Sequence, residues 1–418
     1  MEITAGTLQE LLIARPLLNT SVYQTLLRYL EEKNDRDGYA LSSLLLEQAE
    51  TYGIHGNVLA GYLACELIAN RNLVNHTLEQ NQGELGSNLF VAFRHDFDVL
   101  APLFASPIPF PIPQYGSLSS YQPTKAQKNT VLHDFLALLK EAEKTPSNLS
   151  DLFLAFYRRF GYGSLALHSA FTWDAENNAL LGIKHFETQT LNDIIGYDRQ
   201  KAQLVDNTLA FLSGKPANNV LLIGARGTGK SSSIKALVSE YHDRGLRLIQ
   251  LTKMQLVELP HILEYLRSFP SKRFLLFFDD LSFEPFEVEY KYLKSAMEGG
   301  VSSKPENVLI CATSNRRHLV KETWHDRDEG QDELFKADSM NETISLSDRF
   351  GLIITFLAPD QAQYHAIIRH YLDKEGIQLD SEDLRILAQR WELEHSGRSG
   401  RTAQQFVQHY LGQIHGNV

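Results

Sequence analysis

Eight consecutive residues, Gly224-Ala225-Arg226-Gly227-Thr228-Gly229-Lys230-Ser231, restrict this 418-residue chain more than any others. They stand between the apolar run Val220-Leu221-Leu222-Ile223 and a helix-like stretch from Ser232 to Val238, so strand, glycine-rich loop and helix are predicted in succession. Glycines let the backbone curl until its N–H groups converge on phosphate oxygens, and the helix behind presents the positive end of its dipole. Lys230 is placed to reach β- and γ-phosphates, and the Ser231 hydroxyl to ligate Mg2+. A glycine-rich turn that merely joins strand to helix is the plain alternative. The phosphate-binding set runs from Gly224, Ala225, Arg226, Gly227, Thr228 and Gly229 to Lys230, Ser231 and Ser232.

Apolar runs at Leu246 to Leu251, Phe274 to Phe278, Val308 to Ala312 and Leu352 to Leu357 alternate with helical spacing. With Val220 to Ile223 they predict a mostly parallel five-stranded sheet with helices on both faces. Buried parallel strands end at the ligand edge, so polar residues just past them are the ones to inspect. The strand ending at Phe278 delivers Asp279, which suits the metal side, and Asp280, which suits polarising an attacking water. The strand at Val308 leads into Thr313, Ser314 and Asn315, and Asn315 can hydrogen-bond a γ-phosphate or the water. Arg349, in Asp348-Arg349-Phe350-Gly351, offers a planar fork for charge developing on a transferring phosphoryl group. An Asp–Arg pair closing a helix end is the blander reading of that segment.

Upstream, Leu191 to Tyr197 precedes a helix predicted over Asp198 to Leu212, and Ile195, Gly196 and Tyr197 offer apolar contacts and backbone groups to a nucleobase. A plain turn into the helix explains them as well. Past Pro359 two apolar faces, Tyr364, Ile367, Ile368, Tyr371 and then Leu384, Leu387, Ala388, Trp391, predict a small helical lid. Its last helix, opening near Gly397, carries Arg401 toward the phosphates.

The N-terminal part reads as short helices, with stripes Leu8, Leu11, Leu12; Val22, Leu26, Leu27, Leu30; and Leu59, Leu63, Leu67, Ile68 taken as core. Six prolines between Ala101 and Pro123 predict a turn-rich linker. Phe160 to Gly163 and Ala170 to Trp173 read as a docking surface or a turn between domains. Three regions are expected: residues 1–185, mainly helical; 186–358, the nucleotide-binding α/β part; and 359–418, the lid.

Composition adds exclusions. With 43% hydrophobic and 22% charged residues the chain is of ordinary globular type. Cys65 and Cys311 lie in apolar segments and read as buried thiols of a reducing compartment. The start lacks a basic segment followed by an apolar run, and no stretch reaches membrane-spanning length, so a cytoplasmic protein without a membrane partner is expected. A net charge of −11 argues against nucleic acid as the main partner.

In this order, these segments resemble the AAA+ ATPases over Leu191 to Leu411: adenine-side box, Walker A, Walker B, sensor 1, arginine finger and a sensor 2 arginine in a helical lid. Ala217 to Leu222, Asp279 to Glu284, Ala312 to Leu319 and Ser345 to Gly351 resemble, more narrowly, a bacterial AAA+ family known as a domain of unknown function. The Gly161 to Trp173 segment is similar to that family as well, extending the likeness to about 150–415. The resemblance implies a three-layer P-loop AAA+ domain binding ATP and Mg2+. It also implies catalytic roles for Asp280, Asn315, Arg349 and Arg401, with Arg349 acting on the γ-phosphate of a neighbouring subunit. A homo-oligomer follows, whether closed ring, open spiral or nucleotide-gated dimer. Two departures matter. Asp280 stands where Glu is usual, one methylene shorter, so slow turnover or a need for a partner is expected. Lys253 to Pro260 lacks an aromatic–apolar–glycine pore loop, which argues against threading of polypeptide. The leading expectation is an ATPase that remodels or loads a protein client through the N-terminal helices. A switch or scaffold that seldom hydrolyses ATP comes second, and a nucleic-acid loader third.

Overall fold

The computed structural model describes residues 4–105, 121–124, 129–142, 148–184, 186, 189–284, 287–298, 304–316, 319, 346–395 and 397–415. Most of the expected linker lies outside the described residues, as do Arg317, His318 and Ser345 of the family-like segments. The described chain divides into two units.

The second unit, Ala170–His242, Leu246–Arg267 and Arg273–Val418, is built on continuous apolar runs. Such runs bury both faces of a strand and so demand helices on either side of a parallel sheet. The strands are β1 (Ala170–Asp174), β2 (Ala179–Gly182), β3 (Val220–Gly224), β4 (Leu246–Leu251), β5 (Arg273–Phe278), β6 (Val308–Ser314) and β7 (Leu352–Phe356). They form one sheet in the order β2-β1-β4-β5-β6-β3-β7, parallel except for the β1–β2 pair. The fold is therefore the α/β P-loop type expected, with β3 through β7 as the five foreseen strands.

The sheet has seven strands rather than five. Ala170 to Trp173, read as a docking surface or inter-domain turn, lies in strand β1, paired with β4 on one side and with edge strand β2 on the other. It turns into β2 through an Asx turn in which Asp174 Oδ1 accepts from the N–H groups of Glu176 and Asn177, at 3.0 and 3.2 Å. Asn178, at φ +48°, completes the reversal. Residues 170–182 thus belong to the sheet and not to the helical region to which 1–185 assigned them. Helices Asp198–Leu212, Lys230–Tyr241, Leu259–Arg267 and Tyr290–Glu298 alternate with β3 to β6. Past β7, helices Gln361–Lys374, Ser381–Glu394 and Gly400–His415 pack around Tyr364, Ile368, Leu384, Ala388, Ala403 and Phe406, a core of their own.

The first unit comprises Met1–Ser169 with the short segments Asp243–Gly245 and Ser268–Lys272. Several of its helices start at side-chain caps: Thr20, Asn34, Asn57 and Asn72 each accept from a backbone N–H in the first turn. Phe97, Phe135, Phe153 and Phe156 pack with ring centroids 4.6–5.0 Å apart at its centre. Two expectations fail here. Helix Ser87–Ala105 continues through Pro102; the bond lost at Pro102 falls in its last turn, where burial of Leu103 and Phe104 offsets it. Leu12, taken as core, is 57% exposed. The first helix ends at Leu8, and the loop after it wraps around buried Asp96, whose carboxylate accepts from the N–H groups of Leu12, Ile13 and Ala14 at 2.8, 2.7 and 2.6 Å.

Cys65 and Cys311 are both buried and free, as expected, and burial pushes each thiol up to about 12. Among the described residues no helix is long and apolar enough to cross a membrane.

Replacing Asp96 strands three inward-facing N–H groups at once. Asp96→Ala should cost about 3 kcal/mol or more, read as a lowered urea midpoint by far-UV circular dichroism, with Asp96→Asn losing less.

Candidate functional site

Parallel register decides where the chemistry collects. Ile223 of β3 lies opposite Ser314 of β6, Gly224 opposite Phe356 of β7, and Phe278 of β5 opposite Ala312 of β6, so these strands finish at one edge. The glycine loop springs from that edge. Gly224 has φ +135°, and a Cβ built there would lie 1.9 Å from the Phe356 carbonyl oxygen. Gly227 and Gly229 also take positive φ, after which helix Lys230–Tyr241 begins. Lys230 is only 6% exposed. Its ammonium donates to the carbonyls of Gly224 (2.9 Å) and Ala225 (2.7 Å) and to Asn315 Oδ1 (3.1 Å). Burial lowers its pKa, an effect opposed by Asp280 and Asp279 and reinforced by Arg226.

Across from the loop, Ser231 Oγ donates to Asp279 Oδ1 at 2.5 Å. Thr313 Oγ1 donates to the same carboxylate oxygen at 2.6 Å and accepts from the Asp280 N–H at 2.8 Å. Asp280 sits at φ +52°, and Asn315 Nδ2 donates to its Oδ1 at 2.6 Å. A hydroxyl whose proton is already committed to a carboxylate keeps its lone pairs for a metal. Hard oxygen donors of this kind, one hydroxyl and one or two carboxylates beside a phosphate loop, suit Mg2+. The residues present therefore fit the ion.

A cavity of about 770 Å3 spans these groups. Arg226 through Ser232, Asp279, Asp280 and Asn315 line it, together with Ile195, Tyr197 and Arg401. Gly196 falls between two of these lining residues in the chain, and Gly224 and Ala225 lead directly into the lining loop. The lid meets that loop, since the Gly400 N–H donates to the Gly227 carbonyl at 2.7 Å. Arg349 does not line the cavity; its guanidinium is ion-paired with Glu298.

Several lining residues escaped the sequence reading: Asp193, Lys235, Thr313, Tyr371, Lys374 and Gln404. Thr313 carried a signal, as a hydroxyl at the end of a buried strand. Asp193 and Lys374, which form an ion pair at the lid side, are 181 residues apart and carried none. Hydrogen bonding from Lys374 holds the Asp193 carboxyl down at about 2.

Residues 166–414 match the family described as "Protein of unknown function (DUF815)". The chain belongs to the DUF815 family. No protein with a curated description matches it. Among solved structures, this DUF815 chain is similar to the Holliday junction branch migration motor RuvB of Thermotoga maritima, at 17% identity and a TM-score of 0.36, over 53% of this chain and 64% of that one. Two single-residue variants of the same RuvB match as well, one at 16% identity and 0.37 over 53% and 64%, the other at 17% and 0.38 over 52% and 64%. Each match spans under two thirds of the RuvB chain.

The Asp193–Lys374 pair ties the segment before Ile195 to the C-terminal helices. Because the folded carboxyl is depressed from 3.8 to about 2, its contribution is complete above the unfolded value and lost as pH falls through the folded one. Lys374→Met should therefore shift the acid-unfolding transition, followed by circular dichroism, to higher pH.

Proposed function

We propose that this protein is an ATPase that binds ATP with Mg2+ and hydrolyses it to ADP and phosphate to remodel or load a protein client. The observation that carries the reading is the Ser231–Asp279 hydrogen bond facing the glycine loop, with Asp280 and Asn315 joined beside it. The loop N–H groups and Lys230 bind and orient the phosphates; Lys230 exchanges its carbonyl partners for phosphate oxygens. Magnesium bound at Ser231 and Asp279 would neutralise charge developing on the phosphate oxygens. Asp280 orients the water and takes its proton as the new P–O bond forms and the bond to the ADP oxygen breaks. Asn315 steadies Asp280 and the γ-phosphate, and Arg401 approaches from the lid. Arg349, outside the cavity of its own chain and paired with Glu298, suits the γ-phosphate of a neighbouring subunit, which supports a homo-oligomer.

A slow switch or scaffold is the second reading. It is favoured by the short reach of Asp280, whose carboxylate is already engaged by Asn315.

Lys230→Ala should weaken ATP binding by about tenfold or more, as loss of a charge-assisted hydrogen bond requires. Asp280→Asn should retain ATP while releasing phosphate at least about 100-fold more slowly. Wild-type protein that retains no ATP in magnesium would end both readings, whereas retention without measurable turnover would select the switch. The second test concerns Arg349. A partly exposed ion pair is worth about 1 kcal/mol or less, so Glu298→Gln should ease its transfer and raise turnover at low protein concentration by up to about fivefold. An unchanged concentration dependence would count against the intersubunit role.

A further inference from the structure

We propose that Thr313 is a positioning residue that sets both carboxylates of the site at once, a proposal that rests on the ATP–magnesium reading above. Strand β6 is buried along its whole length, and Thr313, near its end, is 1% exposed. A hydroxyl in such a place must be hydrogen-bonded, and it has one proton to give. Thr313 gives it to Asp279 Oδ1 at 2.6 Å and accepts from the Asp280 N–H at 2.8 Å. Its own carbonyl accepts from the Leu281 N–H at 2.7 Å. One residue therefore grips three successive positions of the segment leaving β5.

The consequences differ for the two carboxylates. Asp279 Oδ1 accepts two hydrogen bonds, from the hydroxyls of Ser231 and Thr313. Ser231 belongs to the loop that receives phosphate, whereas Thr313 belongs to the sheet, so Thr313 supplies the fixed half of that grip. Asp280 lies in the left-handed region at φ +52°, which Asp enters more readily than most L-residues but still at a cost that its neighbours here offset. The bonds from Asp280 N–H and Leu281 N–H to Thr313 supply that offset, and they present the Asp280 carboxylate to Asn315. Without the Thr313 hydroxyl, the metal-side carboxylate loses its sheet-borne anchor and the turn holding Asp280 loses one of its two ties.

The test compares Thr313→Val, which keeps the shape and deletes the hydroxyl, with Thr313→Ser, which restores it. Affinity for fluorescent mant-ATP is measured in magnesium and in EDTA, alongside kcat and KM for ATP and thermal unfolding without ligand. Thr313→Val should lower the magnesium-to-EDTA affinity ratio at least about fivefold and kcat about tenfold, the scale of one charge-assisted hydrogen bond. Affinity in EDTA and KM should stay within about threefold, and Thr313→Ser should recover both losses. If Thr313→Val does not fold, Thr313→Ala carries the same comparison. The proposal is overturned if the valine or alanine form keeps the wild-type ratio, if affinity falls equally in magnesium and EDTA, or if serine is as impaired as valine. Where wild-type turnover is too slow to follow, the affinity ratio decides. Wild-type protein that binds no mant-ATP at all removes the ATP reading itself, a result distinct from a normal wild type beside a normal variant.

Discussion

The parallel pairing of β3 between β6 and β7 is the constraint from which the rest follows. Parallel strands in register end together, so the glycine loop, the carboxylates after β5 and the polar end of β6 arrive at one edge without any of them being adjacent in sequence. The apolar runs that make this sheet contain no chemistry. Their burial fixes the position of the residues immediately beyond them, and the reactive groups of the sheet edge are found there.

At that edge the polar groups satisfy one another in a continuous series: Lys230 with Asn315, Asn315 with Asp280, Asp280 with Thr313, Thr313 with Asp279, Asp279 with Ser231. Lys230 and Thr313 are buried, where an unsatisfied polar group is costly, and the series satisfies them; for exposed Asp279 and Asp280 it fixes geometry. The lid adds its own tie at Gly227 and Gly400. The glycine-loop end of the cavity is thus held by the sheet, and the opposite end by helices that arrive last in the chain.

Much of this was legible in the sequence, and the failures have physical causes. The five strands β3 to β7 announced themselves because a strand buried on both faces is an unbroken apolar run. β1 and β2 did not, because an edge hairpin of five and four residues with a partly exposed face is too short and too mixed to stand out from a turn. Pro102 and Leu12 misled for a common reason: tertiary burial carried a helix through a proline, and a carboxylate 84 residues distant pulled a leucine's backbone inward and its side chain out. In the site, Lys230, Ser231, Asp279, Asp280 and Asn315 were readable because each follows closely on a strand end. Tyr371, Lys374 and Gln404 were not, because only the packing of the C-terminal helices brings them to the cavity, and Asp193 gains its ionic partner only through that packing.

The close approach of Gly224 to the Phe356 carbonyl has a genetic corollary. Every missense change at codon 224 adds at least one carbon where a main-chain oxygen already stands, and such an atom cannot rotate aside as a side chain would. Position 224 therefore has an alphabet of one letter, set by a hydrogen-bonded neighbour strand before any nucleotide is considered.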